Sequence, residues 1–175
     1  MPSARLIDTT ATRAHGHDWG RGPDTGTVDG DPGACPSCAP LRPLHTPAMV
    51  DRLVTSPEVA AEVVMPSLAG LDREACVTVA LNTRHRVLAV ELASLGSLDH
   101  TFMAPRELFR LALLANAAAL VVAHNHPSGD ATPSDDDVRV TTRLARAGSI
   151  VGVDLLDHLV VSSGSWTSLA RLGHL

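Results

Sequence analysis

The apolar run Ala119-Leu120-Val121-Val122-Ala123 passes without a break into His124-Asn125-His126-Pro127. A short, wholly apolar run of this kind fits a strand buried on both faces. Residues two apart in an extended chain share a side, so His124 and His126 project together from the strand's C-terminal edge. That edge is where α/β folds tend to place ligands. Pro127-Ser128-Gly129 then turns the chain, and Thr132-Pro133-Ser134-Asp135-Asp136-Asp137 opens a helix. A carboxylate in the first turn of that helix can swing back toward the two imidazoles. Two imidazoles and one carboxylate suit a catalytic zinc with a fourth position left for water. Ser134 and Asp137 also fit the S-x-x-D capping signature, so on spacing alone a helix cap and a metal site are both open.

The flanking pattern is that of a mixed α/β unit. Ser56-Pro57-Glu58 reads as a helix start, with Ser56 as cap, leading into Val59 to Met65. Cys76 to Leu81 and Arg86 to Ala93 are β-rich runs joined by the polar turn Asn82 to His85, which predicts a hairpin. Pro105 begins a helix over Arg106 to Ala117, with Leu108, Leu111, Ala112 and Ala115 at helical spacing. A third helix is expected from about Ser134 to Ala147, one or two strands within Val151 to Val161, and a closing segment from Trp166 to Leu172.

Residues 1–47 differ in character. They hold seven of the 12 prolines and six of the 13 glycines, and Trp19 to Pro43 shows no apolar periodicity. Such a segment buries too little surface to offset its backbone entropy, so a disordered Pro/Gly-rich tail is expected before a folded domain over 48–175. The net charge is −5, every basic residue is arginine, and aromatic residues make up 2%. That composition lacks both the electrostatic footprint and the stacking platforms of a nucleic-acid binder. The absence of lysine is read as compositional bias toward Arg, Ala, Gly and Pro. The longest apolar stretch, Leu111 to Ala123, is interrupted by Asn116 and too short to span a bilayer. No secretory signal is read at the start, and three cysteines are too few for a disulfide framework, so a cytoplasmic location is expected.

The run His124-Asn125-His126-Pro127-Ser128-Gly129, with Ser134 and Asp137 following, resembles the JAMM metal motif H-x-H-P-x6-S-x2-D, and more narrowly the RadC-like branch of the JAB/MPN family. Ser56-Pro57-Glu58, Gly70-Leu71-Asp72-Arg73-Glu74, Leu95-Gly96-Ser97, Pro105-Arg106-Glu107 and Leu156-Asp157-His158 agree with that branch in order and spacing. The likeness covers roughly residues 52–175. It implies a JAB/MPN (cytidine-deaminase-like) mixed sheet with helices packed on it. It also implies Zn2+ held by His124, His126 and Asp137, the family spacing selecting Asp137 over Asp135 and Asp136. Glu91, a lone acid in an otherwise apolar strand, is implied as the base that takes and returns a proton. Ser134 is implied as hydrogen-bond donor to the oxyanion. The alternative for Glu91 is an exposed acid on the sheet's solvent face.

Together these residues imply a metallopeptidase or isopeptidase acting on a peptide or protein conjugate. Two other readings follow from the resemblance: a DNA-repair accessory of the RadC type and a non-catalytic MPN binding module. Full-length relatives resemble helix-hairpin-helix proteins in their N-terminal region, a pattern absent from residues 1–47, so direct nucleic-acid binding is not expected. The contiguous His124-Asn125-His126 is not the dispersed HNH nuclease signature. The H-x-E and P-C-x-x-C pattern of zinc deaminases is missing too. Cys35-Pro36-Ser37-Cys38 with His15 and His17 has an incomplete ligand pattern. Cys76 reads as a small buried hydrophobe, His85 and His100 as surface residues, and His158 as a structural hydrogen-bonding residue near the site.

Overall fold

The run at Ala119 is the middle of a five-stranded sheet in the computed structural model, which describes residues 49–96 and 103–175. Helix α1 (Pro57–Leu68) precedes a hairpin of β1 (Ala75–Leu81) and β2 (Val87–Leu95). Helix α2 (Pro105–Leu114) leads into β3 (Ala119–Asn125), and α3 (Asp135–Val151) carries the chain to β4 (Asp154–Val161) and β5 (Trp166–Ser168). The strand order is β2-β1-β3-β4-β5. β3 pairs antiparallel with β1 and parallel with β4, the mixed sheet that the resemblance implies. The tail, the Cys35–Cys38 pair with His15 and His17, Ser97 and His100 lie outside the described residues.

Both faces of the sheet are covered. On one, α1 buries Ala60, Val63, Val64 and Leu68 against Val77, Val79, Val121, Leu159 and Val161. On the other, Leu108, Phe109 and Ala112 of α2 and Leu144 of α3 meet Cys76, Ala80, Leu120 and Val122. Burying each such leucine contributes roughly 1.5–3 kcal/mol. This is why all seven residues of β3 are buried, His124 and Asn125 included. Cys76 is a free, buried thiol whose pKa burial pushes up, an inert core residue. Among the described residues no helix is long and apolar enough to cross a membrane.

The expected hairpin is present, and its turn is held locally. The Asn82 side-chain oxygen accepts from the backbone N–H groups of Arg84 and Arg86, and His85, exposed, adopts a positive φ of 56°. Several boundaries differ from expectation. α1 continues past Met65 to Leu68, and Ser56 holds the N-cap position without a side-chain cap hydrogen bond. α2 stops at Leu114 rather than Ala117, because Asn116 turns into the left-handed region at φ 51°. Val151 belongs to α3, which Gly152 terminates at φ 75°, so 151–161 supplies one strand beginning at Asp154. Of the closing segment only Trp166–Ser168 is strand.

Gly148 sets how closely α2 and α3 approach. A Cβ there would collide with the Val153 carbonyl oxygen and press on the Phe109 ring at 3.1 Å. Overpacking of this kind costs about 1–3 kcal/mol, against the roughly 1 kcal/mol of helix propensity that alanine gains over glycine. Gly148→Ala is therefore expected to lower the urea midpoint of unfolding. A midpoint unchanged or raised would show that the two helices are not packed so tightly.

Candidate metal centre

β3 delivers His124 to the face covered by α2 and α3, and His126 follows just past its end, where its backbone N–H still donates to Val161 O at 2.8 Å. Gly129, at φ 89°, turns the chain back. α3 then begins with a complete capping box. Asp137 N donates to Ser134 Oγ at 3.2 Å, while Ser134 N and Oγ donate to Asp137 Oδ2 at 2.7 and 2.6 Å. The box aims the Asp137 carboxylate inward, whereas Asp135 and Asp136 stay exposed.

Three donors converge as a result. His124 Nε2 lies 3.1 Å from His126 Nε2 and 3.1 Å from Asp137 Oδ1, and His126 Nε2 lies 3.6 Å from Asp137 Oδ2. Ligands held about 2.0–2.1 Å from a tetrahedral ion stand about 3.3 Å apart, so these spacings are close to what one small cation requires. Among the described residues His124, His126 and Asp137 form a group able to hold a metal ion. Each imidazole is also anchored through its second nitrogen. His126 Nδ1 donates to the Asp130 carbonyl at 2.9 Å, and His124 Nδ1 is 2.9 Å from His158 Nε2. Outer partners of this kind fix the rotation and tautomer of metal-binding histidines.

The electrostatics agree with that geometry. Burial opposes ionisation of Asp137. Hydrogen bonds with His124, His126 and Ser134, together with the charge of His124, outweigh it and hold the carboxyl well below the usual carboxylate range. The same carboxylate raises the pKa of His126. His158 is fully buried, and burial pushes its pKa down to about 3, so it is neutral at ordinary pH. Its neighbour Asp157 occupies the other face of β4, accepting from His158 N, Ala170 N and Ser168 Oγ.

Glu91 stands apart from the three donors. The register aligns it with Thr78 of β1 and through Thr78 with Val122 of β3, two residues before His124, so it shares their face of the sheet. At 3% exposure it is not on a solvent face. One carboxylate oxygen pairs with Arg110 of α2, while Oε2 is buried without a hydrogen-bond partner, as is Thr78 Oγ1. Burial raises the Glu91 pKa, and the Arg110 charge opposes that rise. Ser134, expected as an oxyanion donor, spends its hydroxyl proton on Asp137. Arg110, Thr141 and His158 are the polar groups around the site that sequence spacing did not single out as functional. Only His158, beside Asp157 on an apolar run, gave any signal.

A family model described as the RadC-like JAB domain matches residues 54–174. The "UPF0758 protein" of Desulforudis audaxviator is 48% identical over 120 residues, 69% of this chain and 52% of the relative. That of Desulforamulus reducens is 43% identical over 127 residues, 73% of this chain and 56% of the relative. "UPF0758 protein BH3032" of Halalkalibacterium halodurans is 40% identical over 150 residues, 83% of this chain and 65% of the relative. The chain thus spans about half to two thirds of the length of these curated relatives.

The Glu91–Arg110 pair yields a prediction whose sign follows from its surroundings. Removing the cation in Arg110→Met leaves Glu91 buried and unpaired, so its folded pKa rises further. A raised carboxyl pKa leaves folding unaffected below the unfolded value and costs stability as pH climbs through the folded one. The variant should match wild type near pH 4.5 and fall behind by about 1–2 kcal/mol at pH 7.5. That figure is below the cost of breaking a fully buried pair because the Arg110 side chain is 37% exposed. Adding Glu91→Gln should close the gap, and a gap independent of pH would contradict the pairing.

Proposed function

Since this chain belongs to the family of RadC-like JAB domains, we propose that it is a zinc-dependent hydrolase cleaving an amide bond in a peptide or protein conjugate. JAB domains include hydrolases. The observation that carries the reading is the convergence of His124 Nε2, His126 Nε2 and an Asp137 oxygen on one point, each held from behind. Two imidazoles with one carboxylate favour zinc over the harder cations that seek all-oxygen shells. Zinc, when bound, supplies a Lewis acid that polarises a carbonyl and brings the pKa of water to about 7.

The chain's own residues account for the remaining tasks. Glu91 takes a proton and returns it to the leaving amine, a role suited to a carboxyl whose pKa burial raises. Arg110 limits that rise through its charge and its hydrogen bond. Ser134 Oγ turns from Asp137 to the oxyanion. Asp137 Oδ2 stays held meanwhile by the Ser134 backbone N–H at 2.7 Å. His124 is deeply buried, whereas His126 is half-buried and Ser134 exposed, so substrate reaches the centre from the side of the α3 N-terminus. The net charge of −5 favours a protein substrate over direct contact with nucleic acid.

The test combines metal content with turnover. Purified protein is expected to carry about one zinc per chain. His126→Ala and Asp137→Ala should lose it, while Glu91→Gln should keep the metal and lose about 100-fold or more of hydrolysis on a peptide and isopeptide panel. A wild-type chain that takes up no zinc after reconstitution would overturn the proposal. So would a Glu91→Gln variant that hydrolyses as fast as wild type.

A further inference from the structure

On the face of the sheet turned away from the metal donors, a cavity of about 330 Å3 lies between the N-terminal end of α1 and strands β3 and β4. That volume is at the lower end of the roughly 300–1,000 Å3 usual for small-molecule sites. Thr55 and His85 stand in its wall and are exposed, so it opens to solvent there. Ala60, Val121 and Asp157 are the buried part of the wall. Val54, Pro57, Leu156 and Ala170 make the rest of the lining mainly apolar.

Two consecutive residues of β4, Leu156 and Asp157, line this cavity. A regular strand does not allow that, because its side chains alternate between faces. The register supplies the reason. Leu120 pairs with Leu155 and Val121 with Asp157, so Leu156 is an extra residue and β4 bulges there. Leu155 packs on the α2 and α3 side, Leu156 and Asp157 fall on the α1 side, and His158 returns toward His124. The bulge thereby places an acid in an apolar wall. Asp157 Oδ1 accepts from His158 N and Ala170 N at 2.7 and 3.1 Å, and Oδ2 accepts from Ser168 Oγ at 2.7 Å. A carboxylate offers about four acceptor positions, so one is left at Oδ2. Among the described residues no cation forms an ion pair with Asp157. Arg171, whose charge reaches it, is paired with Glu58 and lies over the Trp166 ring. Burial raises the Asp157 pKa against its hydrogen bonds and that charge.

We propose that this cavity binds a small apolar amine, its ammonium group on the Asp157 carboxylate and its hydrocarbon against Ala60, Val121 and Leu156. A buried carboxylate without a counter-ion is costly, and a ligand ammonium supplies the charge that the chain does not. The same carboxylate repels an anion, and a plain hydrocarbon leaves the last acceptor position of Oδ2 unused. The apolar wall gains from any hydrocarbon that displaces water from it. None of His124, His126 and Asp137 lines the cavity, so the site is independent of the metal centre and of the hydrolase reading.

The test is an NMR titration of the whole isotope-labelled chain with 2-phenylethylammonium at pH 8. Saturable shifts are expected at Ala60, Val121, Leu156 and Ala170, half-complete at about 1 mM or below, a strength within reach of so small a ligand. 2-Phenylethanol has the same shape without the charge and should bind about 10- to 100-fold more weakly, the worth of a hydrogen bond to a charged group. Asp157→Asn keeps an oxygen for the two backbone N–H donors and should weaken the amine to the level of the alcohol. Ala60→Leu, which extends a side chain into the cavity, should weaken both. Amine and alcohol binding equally to wild type would overturn the proposal, as would shifts that do not saturate or that fall away from the cavity. Those readings use wild type alone and decide the matter even if Asp157→Asn does not fold. A folded Asp157→Asn variant that binds the amine as tightly as wild type would overturn it too.

Discussion

The Asp137 carboxylate is the point on which the organisation of this domain depends. It closes the first turn of α3 through the capping box with Ser134, and it faces the two imidazoles at the end of β3. A side chain that only capped the helix could be exposed, as Asp135 and Asp136 are. Asp137 is buried instead, and a buried carboxylate is tolerated only with a full set of donors. The serine hydroxyl and amide supply some of them, and the imidazole edges the rest. Helix start, strand end and candidate donor set are therefore one structural element, and the turn at Pro127 to Gly129 is what lets them close on one another.

The sheet explains how so polar a cluster survives in an apolar setting. Its two faces do different work. The α1 face is hydrophobic along Val77, Val79, Val121, Leu159 and Val161, with Asp157 as a buried acid of β4 on that side. The opposite face carries Thr78, Glu91, His124 and His158 among Cys76, Leu120 and Val122, under α2 and α3. In low-dielectric surroundings each of these groups must be paired or pay heavily in desolvation, so the network is ordered by necessity. His158 is satisfied through Thr141 and His124, and one oxygen of Glu91 through Arg110. Among the described residues the buried side-chain oxygens left without a partner, Glu91 Oε2 and Thr78 Oγ1, belong to residues paired directly across β1 and β2. An incompletely satisfied acid on the same sheet face as a candidate metal centre is where proton-transfer chemistry is expected to be sited.

Much of this was legible in the residues, and what was not has a physical reason. The strand at Ala119, the hairpin and the cap at Ser134 are local features, written in apolar runs, turn residues and a four-residue signature. The candidate donor trio was legible because His124 and His126 are two apart and Asp137 opens the next helix, so all three lie within one strand–turn–helix unit. Helix ends were misjudged where a single backbone conformation decided them, at Asn116 and Gly152. Periodicity does not report φ. Arg110, Thr141 and His158 were harder for another reason. Each reaches the site from a separate element, through a sheet register and a helix approach that exist only after folding. Resemblance to a family marked Glu91, yet its pairing with Arg110 could be read only from the packing of α2.

The central claim, that His124, His126 and Asp137 form the zinc site, is tested most directly by the X-ray absorption spectrum of the zinc-loaded chain. The account predicts a first shell of nitrogen and oxygen at about 2.0–2.1 Å, with outer scattering from two imidazoles and no sulfur. A sulfur shell at about 2.3 Å would contradict it and assign the metal to cysteine instead.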